Sequence, residues 1–336
     1  MTTNAPLGAR FFGPLTLLSA SVLFLGLADL GRAQSKKTAP SALPTKPAAG
    51  PAAPEVGKIT AEQANERRKK LYFGSDGPRL DIVFPDPAAV VVDTGKGKKT
   101  GGFEWSKLAT AATLEKEVER NVAANGEHLA SASVFTSKGY KKIKDNHTML
   151  AVWLNVLSEF DGPSKMKDSA AAVRDLAATV PLALAASEDV KPDEAMFGKS
   201  KEANEAAAKL LKGEKVNGAA KARPWREVAV YTSVMKRMEA AQDARIRGWT
   251  ANTEEFNKNL PELEHEAQLL AIMCEVILDK GTNDNAGNED YQGWGKKLEQ
   301  GCIELVAAVK AKDHAKAQVI AAGIAKQCAD CHSGYR

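Results

Sequence analysis

Beyond residue 103, apolar residues recur at steps of three and four through most of the chain, the spacing that lines one face of an α-helix. The pattern is cleanest towards the C-terminus. Val228, Tyr231, Met235 and Met238 form one stripe in a segment that Pro224 opens and Gly248 closes, which predicts a helix from about Trp225 to Arg247. Leu263, Ala267, Leu270, Cys274 and Ile277 form the next, in a helix over roughly Thr253 to Lys280. After an Asn/Gly/Asp-rich loop from Gly281 to Asn288, the stripe Trp294, Leu298, Gly301, Leu305 predicts a third helix from about Glu289 to Lys310. A fourth, from about His314 to the end, aligns Ile320, Ile324, Cys328 and Cys331. Four amphipathic helices with short connections specify an up-down four-helix bundle.

The same pattern occurs once before, less cleanly. Helices are expected near Trp105 to Asn125, Ser137 to Phe160, Met166 to Ala186 and Lys201 to Lys212, with Pro181 kinking or shortening the third. Trp225 follows Trp105 by 120 positions, and the run Leu270-Ala271-Ile272-Met273-Cys274-Glu275-Val276-Ile277 follows Leu150-Ala151-Val152-Trp153-Leu154-Asn155-Val156-Leu157 by the same 120. One offset shared by two independent stretches implies a tandem repeat of a single helical domain, over about 103–220 and 221–336. The expected fold class is therefore all-α, two tandem up-down four-helix bundles.

Ahead of the repeat the pattern changes character. Arg10, an uncharged stretch from Phe11 to Ala28 and then Gly31-Arg32-Ala33 read as a secretory signal peptide over 1–33, cut after Ala33. The stretch approaches the length of a membrane anchor, but Pro14 and the Gly-x-Ala end weigh against an uncleaved span. Residues 34–58 are rich in Pro, Ala and Lys and read as a flexible linker. Residues 59–102 form a short irregular segment, with a Thr60-x-x-Gln63 capping box and two apolar runs, Ile82-Val83-Phe84 and Val90-Val91-Val92, that fit a small hairpin or an extended wrap equally well.

Composition excludes more than it selects. Hydrophobic content of 44% permits ordinary cores, and the low aromatic content of 6% with abundant Ala favours helices. A net charge of +4 with no basic stripe interleaved with aromatics argues against a nucleic-acid partner. There is no Ser/His/Asp or paired-carboxylate constellation, so an enzyme is not expected.

The candidate chemistry sits in the last nine residues, Cys328-Ala329-Asp330-Cys331-His332-Ser333-Gly334-Tyr335-Arg336, which contain Cys-x-x-Cys-His, the attachment signature of a c-type haem. Two thiols at this spacing reach the two vinyl groups of one porphyrin, and the adjacent His332 becomes the proximal iron ligand. A Cys-x-x-Cys pair also serves as a redox dithiol or as half a zinc site. Zinc needs about four ligands, and Cys274, Cys302, His128, His147, His265 and His314 form no second ligand pair. A redox dithiol usually opens a helix in a βαβ setting, whereas this one closes a long helical pattern. Cys274 and Cys302, on successive helices at similar distances from the loop, fit a disulfide or two buried thiols.

A four-helix bundle whose last helix carries Cys328, Cys331 and His332 and closes with Tyr335-Arg336 resembles the class II cytochromes c, the cytochrome c-prime family. The resemblance covers residues 221–336. It implies one covalently attached haem c held between the helices, with its distal face towards the first helix of that bundle. In that family a Met on the first helix gives low-spin electron-transfer members, and an apolar residue there gives gas-binding ones. Met235 is the better match to the family's Met-Lys-x-Met run and is the expected sixth ligand, with Met238 one turn later as the alternative. Glu115 and Val118 stand at these positions in the first copy, which also lacks Cys-x-x-Cys-His, so no haem attaches there. The expected function is single-electron transfer to a redox partner protein in the periplasm or otherwise outside the cytoplasm, with no stable membrane insertion once the signal is removed and with a homodimer possible. The alternatives are a five-coordinate haem protein that binds a diatomic gas, and an interaction module whose haem only stabilises it.

Overall fold

A computed structural model describes residues 103–218 and 221–335; the expected signal peptide, linker, capping box and apolar runs of 1–102 fall outside the described residues. Every regular element among the described residues is helical. In the first half these are α1 (Ala111–Asn125), α2 (Tyr140–Glu159), α3 (Lys167–Ala185) and α4 (Glu194–Leu211). In the second they are α5 (Tyr231–Glu239), α6 (Leu260–Leu278), α7 (Glu289–Lys310) and α8 (His314–Tyr335). No described helix is long and apolar enough to cross a membrane.

Helix ends follow local chemistry. The Thr113 amide donates to Thr110 Oγ1 (3.1 Å) at the start of α1, and the Met196 amide to Asp193 Oδ1 (2.8 Å) at the start of α4, each meeting a donor that the helix itself leaves free. α4 and α7 both end in the same six-residue turn. In α4 Gly213 takes the left-handed conformation (φ 79°) while the amide of Glu214 donates to Lys209 O; in α7 Lys312 takes it (φ 56°) while Asp313 donates to Ala308 O.

α1 packs on α2 and α4, α2 on α3, and α3 on α4, which closes a ring. In the second half α6 packs on α5 and α7, α7 on α8, and α8 returns to the far end of the α5 segment. The halves meet where α2 lies on α5 and α1 on α6, and one apolar core runs through both. This explains the repeated eight-residue run. Residues 150–157 are buried on every side, as are 270–277 except for Glu275, because α2 and α6 each face their own half and the opposite one, so neither keeps a polar stripe.

Residues 120 positions apart touch across the joint. The Trp105 and Trp225 rings stand edge to face with centroids 6.1 Å apart. Arg237 Nη2 donates to Glu117 Oε1 at 3.2 Å, and Glu117 also accepts from His265 Nε2 at 3.0 Å. Arg237 forks onto Glu266, which is also bonded by Arg245. On the outer side Glu262 accepts from Lys116 and Arg120, and Asp145 of α2 accepts from Ser233 and Lys236 of α5.

Several boundaries differ from the sequence reading. Trp105 and Trp225 each open a single 3₁₀ turn, Trp105–Lys107 and Trp225–Glu227, and the helices start later, at Ala111 and Tyr231. Val228 is buried but lies before the helix. The helix expected over Thr253 to Lys280 is divided into Thr253–Lys258 and α6, with Pro261 in the first turn of α6, where its missing N–H costs nothing. α3 runs through Pro181 to Ala185 without being shortened. α4 starts at Glu194, seven residues before the expected Lys201, because Asp193 caps it. A π turn, Phe135–Gly139, precedes α2, and a second, Ala240–Ile246, carries α5 into a last turn at Arg247–Trp249.

Candidate functional site

α8 is held at both ends. Near its start His314 bridges the Thr250 carbonyl (Nε2, 3.1 Å) and the Thr253 hydroxyl (Nδ1, 3.1 Å), and Gln318 Nε2 donates to Ala251 O at 3.2 Å. At the other end the Tyr335 ring stands edge-on to Tyr291 (5.3 Å) and Trp294 (5.6 Å) of α7. These contacts set α8 antiparallel to the α5 segment, its start beside residues 250–253 and its later turns beside residues 231–246.

Along α8, Ala317, Ile320, Ala321 and Ile324 are buried, and Cys328 and Cys331 continue that stripe as half-buried residues. At 100° per residue, Cys328, Cys331 and His332 fall within an arc of about 100°. Both thiols and the imidazole therefore share one helix face. Burial raises the Cys328 thiol to about 12, helped by neighbouring Cys302, Cys331 and Asp243; burial also raises Cys331. Burial thus favours neutral sulfur, as thiol or thioether. A redox dithiol acts through its thiolate, which a helix N-terminus or a nearby cation stabilises. These cysteines lie in the closing turns of their helix, where the peptide dipoles oppose negative charge. Among the described residues no group of three His, Cys, Asp or Glu side chains is placed to hold a metal ion.

On α5, Met238 is 5% exposed and Met235 half-buried, and both pack on the common core. Tyr231 and Tyr291 approach hydroxyl to hydroxyl at 3.2 Å. Burial raises both phenols, and proximity to Cys331 adds to it, so the pair lies near Cys331. In the first half Val118 is fully buried, and Glu115 accepts a hydrogen bond from the Ser164 hydroxyl (2.8 Å); no thiol is there.

The donor set fits a covalently held haem in the second half. Cys328 and Cys331 would carry it, His332 would face the iron, and the Met-bearing face of α5 belongs to the helix that runs antiparallel to α8. Cys274 and Cys302 are free thiols, both fully buried, with burial and the neighbouring Cys302 raising Cys274 well above the ordinary thiol range. Spacing had not singled out Gln242, Asp243 or Tyr291. Gln242 and Asp243 come to α8 through the π turn of α5, which leaves no mark in apolar periodicity, while Tyr291 sits at the start of α7, where the only signal was its aromatic ring.

No family model matches the chain, nor does any curated protein or solved structure.

Proposed function

We propose that this protein is an exported c-type cytochrome that passes single electrons to a redox partner protein through one haem, attached to Cys328 and Cys331 in the second of two tandem four-helix bundles. One observation carries this reading: two neutral, half-buried thiols and an imidazole share one arc of α8, on the continuation of its buried stripe. When bound, the haem supplies a one-electron iron couple. His332 would be its proximal ligand and Met235 its distal one, with Met238 the alternative. Ligands from both helices would keep the structural change on electron transfer small. The buried Met238 and the Tyr231–Tyr291 pair exclude bulk water from that side. The ring contacts of Tyr335 with α7 support the turn that bears His332. Export rests on the leader-like stretch before Ala33.

The test is haem staining of the denatured, exported protein. Replacement of Cys328 or Cys331 by Ala should reduce staining, and replacement of both should abolish it. Undiminished staining of the double variant would end the cytochrome reading. The optical spectrum of the reduced protein with carbon monoxide then separates electron transfer from gas binding, since ready binding would favour an open sixth position.

A further inference from the structure

In the second half, the side chain of Gln242 is buried without a hydrogen-bond partner. Both its amide atoms, Nε2 and Oε1, are enclosed and unmet, and the residue is 3% exposed. A buried amide atom that nothing satisfies is destabilising, and in folded proteins water or a ligand usually meets it.

Three observations tie this amide to the haem pocket. Gln242 lies in the π turn of the α5 segment, a feature frequent at functional sites, and both α6 and α8 pack on that turn; the next residue, Asp243, bears on the thiol of Cys328. Met238 lies four residues before it and Ile246 four after, both buried, so Gln242 occupies the inner side of the segment that carries the candidate iron ligand. The position 120 residues earlier, in the copy without Cys-x-x-Cys-His, is Val122 on the regular helix α1. The buried face of α1 carries the amides of Asn121 and Asn125, but each of these is hydrogen-bonded within the protein, whereas that of Gln242 is not.

We infer that Gln242 is a tuning residue of the haem pocket, its amide holding ordered water inside the pocket, and that these buried dipoles lower the potential of the iron. Nε2 donates to a water oxygen and Oε1 accepts from a water O–H, which satisfies both atoms. Ferric haem carries one more positive charge than ferrous, so buried polar groups stabilise the oxidised state, and an apolar replacement shifts the balance to the reduced one. This inference rests on the cytochrome reading.

The experiment compares full-length exported protein with its Gln242→Leu and Gln242→Met variants by haem staining, spectroelectrochemical titration, and oxygen-17 relaxation dispersion, which counts long-lived internal water. Haem content should be unchanged, the potential should rise in both variants, and the long-lived water signal should fall. A fully haem-loaded variant with the wild-type potential overturns the inference, and so does a raised potential with undiminished internal water. Should Gln242→Leu fail to fold, Gln242→Met, similar in length and flexible, decides alone. Absence of haem from the wild type would defeat the underlying reading instead, and staining reveals that before any potential is measured.

Discussion

Replacing Glu117 by Gln tests the joint between the two halves. Glu117 is 5% exposed, and burial alone would push its carboxyl up; the hydrogen bond from His265 and then the charge of Arg237 reverse this and hold it down at about 2, against an ordinary 4.5. Each unit of pH corresponds to about 1.4 kcal/mol, so the ionised carboxylate contributes about 3 kcal/mol to the native state. An acid held below its unfolded value stabilises the fold above that value and loses the contribution as pH falls, here from 4.5 to about 2. Gln keeps the size and one acceptor but not the charge. Arg237 retains Glu266, so the substitution strands no guanidinium. Glu117→Gln should therefore cost up to about 3 kcal/mol at neutral pH and flatten the fall in stability below 4.5. Urea unfolding at a series of pH values measures both. A loss under about 0.5 kcal/mol, the size of an ordinary surface substitution, or an unchanged acid slope, would refute the reasoning.

Met235→Leu conserves volume and should leave haem staining intact while the iron becomes high-spin and binds carbon monoxide; an unchanged spectrum with a change in Met238→Leu would place the ligand one turn along. Glu299 is raised to about 8 by burial and by the hydrogen bond and charge of Glu275. Its contribution is complete below 4.5 and is lost as pH rises to about 8, so Glu299→Gln should flatten the melting-temperature decline over that range. Lys312→Gly should raise stability by about 1 kcal/mol in urea unfolding, because it relieves a left-handed backbone at a side-chain-bearing residue. Gly139→Ala should cost about 1–3 kcal/mol, since a Cβ there would stand 2.7 Å from the His128 carbonyl oxygen; an unchanged urea midpoint would show that the backbone yields.

What the sequence disclosed and what it withheld follow from which interactions are local. Helical content followed from apolar spacing, and the stripe ending in Cys328 and Cys331 is the buried side of α8. The segments opening at Trp105 and Trp225 misled because Val228 and Leu108 are buried, like helix residues, although each lies outside the helix that follows. The start of α4 was available in Pro192-Asp193, an extended residue before a cap, but the apolar pattern there is weak and drew the boundary to Lys201. The π turn shifts the helix face by one residue without disturbing composition, so Gln242 had no signature. The network around Glu117 left one: a carboxylate between Leu114 and Val118, on a face otherwise destined for burial. Its partners, Arg237 and His265, lie more than a hundred residues away, and nothing short of the tertiary fold brings them together.

The contacts of Trp105 with Trp225 and of Glu117 with Arg237 join equivalent positions of the repeat. Equivalent positions meet when two copies are related by an approximate two-fold rotation, as in a symmetric dimer, where each residue on the axis faces its own twin. In a dimer of the second half through this face, Arg237 would confront Arg237; in a dimer of the first, Glu117 would confront Glu117. Each is a like-charge encounter in a nearly water-free setting, whereas the fused chain opposes the two signs. Divergence at one mirrored position thus gives the joint a polarity that identical subunits cannot have. The first half serves as a built-in, non-exchangeable counterpart, filling the face through which the second half would otherwise meet itself.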